Sequence, residues 1–124
     1  MRRYLILLLL LLVSCSPKKK LDTFESVVEF LINISDYKTK EVYSQLYTID
    51  SAKQQGKEYC AKLDSGLTRS QIDDEKTSKL VENKKLTRDQ QVEILQIDDI
   101  IHDTAIEFYC PKYEKKSLKD RIGK

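Results

Sequence analysis

The chain has 124 residues, enough for one small domain and too few for two. Its 22 basic and 20 acidic residues leave a net charge of +2, without the concentrated basic surplus that nucleic-acid binding requires. Charged residues make up 34% of the chain, against three glycines and two prolines. That balance favours helices over a sandwich or barrel.

Met1-Arg2-Arg3 gives a positive start, and Leu5 to Val13 is an unbroken apolar run. Nine helical residues, at about 1.5 Å each, cover less than half of a hydrocarbon layer about 30 Å thick. The run therefore suits the core of an export signal and not a spanning helix. Leu12-Val13-Ser14-Cys15 follows and resembles the lipobox of bacterial lipoproteins: an aliphatic residue, two tolerant or small positions, then cysteine. The resemblance implies cleavage between Ser14 and Cys15 and a thioether-linked, palmitate-type acylated Cys15 at the mature N-terminus. Two or more acyl chains hold a protein stably to a membrane that it does not cross. Lys18, Lys19 and Lys20 then either meet anionic headgroups, at about 1 kcal/mol each, or form a solvated spacer after Pro17. Ser16 after the cysteine is similar to cargo sent to the outer membrane in two-membrane bacteria. The expected location is the outer face of the plasma membrane or the outer membrane. Loss of residues 1–14 removes Arg2 and Arg3 and balances the charge. The expected organisation is a cleaved signal at 1–14, a lipidated linker at 15–21, a helical domain at 22–113 and a charged tail at 114–124.

Three cysteines are present, Cys15, Cys60 and Cys110. With Cys15 lipidated, the other two remain in an oxidising space where such a pair normally joins. A structural disulfide is expected, since the spacing is unlike the Cys-x-x-Cys of redox-active pairs.

Asp22 or Thr23 caps a first helix, along which Phe24, Val27, Val28, Leu31 and Ile34 form one stripe. Residues 35–48 read either as a short helical turn or as an ordered loop packed by tyrosines. Asp50 is the expected cap of the next helix, carrying Ala52, Tyr59, Cys60 and Leu63 and ending at Gly66 in the left-handed conformation. Thr68 with Gln71, and Thr87 with Gln90, fit the capping box and mark two further helix starts. The helix from Arg69 to about Asn83 has only Ile72, Leu80 and Val81 to bury and is expected at the periphery. The last helix, Arg88 to Cys110, has one apolar face of Ile94, Ile97, Ile101, Ala105 and Phe108 and a second of Val92, Leu95, Ile106 and Cys110. A helix apolar on two sides belongs at the centre of a domain, and Pro111 ends it. The expected fold is all-α: about four helices closed by one disulfide.

Three segments resemble the bacterial family called domain of unknown function 732. They are FLINI (30–34), GKEYCAKLDSGLTRSQI (56–72) and AIEFYCPKY (105–113), matching the family's Phe-Leu helix, its Gly-x-x-x-Cys-x-x-Leu-x-x-Gly segment and its closing Ala-x-x-x-Tyr-Cys-Pro motif. The resemblance implies a small exported helical domain with one disulfide between the matching cysteines. It implies no activity, cofactor or catalytic residue.

His102, the only histidine, sits four residues after Asp98 with Asp99, Asp103 and Glu107 nearby. Such groups can serve a metal or a general base, but one histidine is short of a zinc set. The expected reading is a surface ion pair on an acidic strip. No phosphate-binding loop, nucleophile elbow or Cys-x-x-Cys motif is present in the sequence. Neither catalytic nor metal-binding residues are assigned, and no cofactor is expected. Tyr37, Tyr43 and Tyr47 are the candidate surface for an envelope protein partner, since tyrosine pairs an apolar ring with a polar tip. The expected function is a lipid-anchored, non-enzymatic interaction or structural module. The alternatives are a hydrolytic or metal-dependent factor centred on His102, and a carrier of an apolar ligand held between helices.

Overall fold

The structure is a computed structural model in which residues 21–114 are described. The segment resembling a lipobox, with Ser14 and Cys15, and the tail from Lys115 lie outside the described residues. Five α-helices and no strand occur among those described. They are α1 (Phe24–Asn33), α2 (Tyr37–Leu46), α3 (Ile49–Asp64), α4 (Arg69–Glu82) and α5 (Arg88–Phe108). A 3-10 turn, Pro111–Tyr113, follows.

Each helix starts on a side chain that accepts a backbone N–H three residues on, satisfying a donor the helix leaves unpaired. Thr23, Asp36, Thr48, Thr68 and Thr87 fill this role. Four of the five are full capping boxes, two with serine at the third position (Ser26, Ser51) and two with glutamine (Gln71, Gln90). Thr48, not Asp50, is therefore the cap of α3. Helix α3 ends in a Schellman motif: Leu67 N–H donates to Lys62 O and Gly66 N–H to Leu63 O, with Gly66 at φ +102°.

Residues 35–48, ambiguous in the sequence, contain a helix, so the bundle has five helices where four were expected. The extra helix does not add a rod. Thr39 and Tyr47 of α2 touch Glu93 and Asp98 of α5, and Gln55, Tyr59 and Cys60 of α3 touch Asp98, His102 and Cys110. Helices α2 and α3 thus run in succession alongside α5, as one rod broken at Tyr47-Thr48. Helix α1 runs the other way, its Phe24 ring stacked on Tyr109 at 4.9 Å.

Helix α5 is central. Ile97, Ile101 and Ala105 are fully buried, with Ile94, Ile106 and Cys110 close to it. Val92 instead is 55% exposed. On α1 the buried set is Phe24, Val28 and Ile32, and Ile34 caps the C-terminus in solvent. Gly56 sits where α1, α3 and α5 meet; a Cβ there would lie 3.1 Å from Ala105 Cβ and 3.2 Å from the Phe24 ring. The expected disulfide is present, joining Cys60 of α3 to Cys110 at the end of α5. Pro111 ends α5 but begins a further turn, closed by Tyr113 N–H donating to Cys110 O. Helix α4 is peripheral as expected: it buries only Arg69 and Ile72, with Leu80 half-covered and Val81 exposed.

Candidate functional site

The expected acidic surface strip on α5 is not a surface strip. Asp98 is 3% exposed and His102 2%, while Asp99, Asp103 and Glu107 face solvent. At about 100° per residue, positions 98 and 102 fall in the arc between Ile94 and Leu95, so both point inward between the two apolar faces.

Buried charge costs several kcal/mol unless partners compensate, and three helices supply them. Tyr47 at the C-terminus of α2 donates its hydroxyl to Asp98 Oδ1 at 2.9 Å. Gln55 of α3 donates its amide to the same oxygen at 2.7 Å. The Lys76 ammonium of α4 lies 3.0 Å from Oδ2, in a geometry that leaves this oxygen without a directed hydrogen bond. One carboxylate therefore holds the break between α2 and α3 and one side of α4. Burial, and then the Asp98 charge, push the Tyr47 phenol far above its ordinary pKa.

His102 stacks flat on Tyr59, centroids 4.0 Å apart and planes within 2°. Its Nδ1 is buried without a hydrogen bond, and the nearest charge is Asp73 Oδ1 of α4 at 3.5 Å. The pairing with Asp98 suggested by four-residue spacing is replaced by one across helices. Further along α4, the Arg69 guanidinium reaches Asp103 at 2.6 Å and Asp73 at 3.8 Å. Burial opposes the charge of Arg69, yet Asp103 keeps its pKa above the usual value.

Two clefts meet at His102. One, of about 410 Å³, opens between α3 and α4 over Gln55, Tyr59, Ile72, Lys76 and His102. The other, of about 220 Å³, lies between α4 and α5 beside Asp73, Thr77, Leu95 and Asp98. Among the described residues no group of three His, Cys, Asp or Glu side chains is arranged to hold a metal ion. No helix of the described residues is long and apolar enough to cross a membrane.

The three tyrosines divide. Tyr43 and Tyr47 stack on each other at 5.5 Å and pack against the core, while Tyr37 is 77% exposed. Tyr37 follows the exposed Ile34 and Phe30 at the junction of α1 and α2.

No family model, curated protein or solved structure matches the chain. The likeness to domain of unknown function 732 rests on the quoted motif residues alone.

Proposed function

We propose that the protein is a lipid-anchored, non-enzymatic component of a bacterial cell envelope that acts as an interaction or structural module. The observation carrying this reading is the use of its cysteines. Cys60 and Cys110 are joined, as suits an oxidising space, and the remaining cysteine, Cys15, closes the Leu-Val-Ser-Cys run after the apolar stretch. The domain itself is held by an apolar core, helix caps, one disulfide and the side chains gathered on Asp98. The surface offered to a partner centres on Tyr37 with Ile34 and Phe30; the half-buried Tyr43 lines the groove beside Phe30, while Tyr47 is bonded inward to Asp98.

Metabolic labelling with palmitate, followed by mass spectrometry of the N-terminus, tests the anchor. The wild type should carry label on Cys15 and lack residues 1–14; Cys15→Ser should be unlabelled and unprocessed. A wild-type chain that keeps Met1 and an unmodified thiol at position 15 overturns the reading.

A second reading, a hydrolytic or metal-dependent factor, draws on one observation: the His102 imidazole lies against Asp73 where two clefts meet. Folded His102→Gln protein with unchanged metal content and unchanged phenotype removes it.

A further inference from the structure

Helix α4 is attached unlike the others. Apart from Ile72 and the half-covered Leu80 it brings little apolar surface to the core. On the face of α4 at positions 69, 73 and 76, charges alternate as cation, anion and cation. Running antiparallel, these meet Asp103 (2.6 Å), His102 (3.5 Å) and Asp98 (3.0 Å) of α5. Between these rungs, α4 bridges open space: the cleft toward α3 on one side and the cavity toward α5 on the other. Its two ends are turns. Gly66, in the left-handed region, precedes it. At the other end α4 stops at Asn83, where the Gln91 amide donates to the carbonyl oxygens of Leu80 and Asn83 at 3.1 and 3.4 Å. Segments with few buried apolar contacts open at lower free energy than the whole domain. Salt screens the exposed partner of each rung, Asp103, Asp73 and Lys76, while the buried partners are screened much less.

We propose that α4 is a strap held by ions: it lifts as a unit on Gly66 and Asn83 while α1, α2, α3 and α5 stay packed, and lifting exposes the buried His102–Tyr59 stack. The disulfide favours this arrangement, since it ties α3 to α5 and leaves α4 outside the closed seam. Access to the one imidazole of the chain then depends on the ionic environment. The proposal is independent of the lipid anchor.

Amide hydrogen exchange on the full chain, followed segment by segment, tests it. In the wild type the amides of residues 73–82 should exchange at least about tenfold faster than those of α3 and α5, and faster again when NaCl is raised, with α3 and α5 unchanged. Lys76→Met should raise exchange in α4 about fivefold further, and Lys76→Arg should restore it. If Lys76→Met does not fold, the wild-type salt series alone decides. The proposal is overturned if α4 exchanges in step with α3 and α5 in the wild type, or if neither salt nor Lys76→Met changes its rate relative to theirs.

Discussion

Replacing Asp98 by alanine removes a single carboxylate that three helices share. The Tyr47 hydroxyl and the Gln55 amide both lose a charged acceptor at 2.9 and 2.7 Å, and Lys76 loses its counter-ion at 3.0 Å. A hydrogen bond to a charged group contributes about 1.5–3 kcal/mol. The Lys76 pair adds about 1 kcal/mol, since Lys76 is one-third exposed while its partner carboxylate is buried. Against the gain stands the desolvation of a carboxylate that is 3% exposed, which the alanine no longer bears. The net loss, by analogy with other broken buried pairs, is about 3–5 kcal/mol. For a domain this small that corresponds to a fall in melting temperature of more than about 12 °C. Urea unfolding followed by circular dichroism measures it. A cycle with Tyr47→Phe should show a coupling of about 1–3 kcal/mol, because the two side chains share one bond. A loss below about 1 kcal/mol, or additive effects in the cycle, refutes the view that Asp98 ties the broken rod to α5.

Three further outcomes are expected. Opening the Cys60–Cys110 bridge with a reductant should cost about 4 kcal/mol by the chain-entropy model for a separation of 50 residues, and a Cys60→Ala, Cys110→Ala variant should lose its response to that reductant. Gly56→Ala sets an overpacking cost of about 1–3 kcal/mol, since the added methyl meets Ala105 and the Phe24 ring inside ordinary contact distance. Removing a mid-helix glycine gains about 1 kcal/mol in return, so a net loss of up to about 2 kcal/mol is expected; a raised urea midpoint would show that α3 can shift. The raised pKa of Tyr47 gives stability that is fully present below the ordinary tyrosine value near 10 and is lost as pH rises through the higher folded value. Between neutral pH and pH 11 the wild type should lose about 1.4 kcal/mol from this group. Tyr47→Phe should lose none of that, so the stability gap between the two should narrow.

Local pattern carried much of the fold. Thr-x-x-Gln at 68 and 87 marked two helix starts correctly because a cap and its partner lie within one turn. With serine as partner, at Thr48-Ser51, the same geometry is less legible than the neighbouring Asp50, and α2 lacks a continuous apolar stripe to announce it: only Thr39 and Val42 are buried there. The buried polar centre reads as surface in the sequence, since its partners lie 43 and 51 residues away from Asp98, beyond any periodic signal. One clue was available: positions 98 and 102 fall between two apolar faces of α5, and a charge placed there must be paired inside the domain. Which helix supplies the partner is decided by tertiary contact alone.

The stacking of Phe24 on Tyr109 brings the beginning of the first helix and the finish of the last to one pole of the bundle. Helix α5, with 21 residues, is about 31 Å long, so the opposite pole, where Thr87 begins α5, stands one helix length away. The two ends of the described residues, Leu21 and Glu114, therefore lie at the same pole. An insertion in the turn between Asn83 and Thr87 would be displayed at the far pole, a helix length from both.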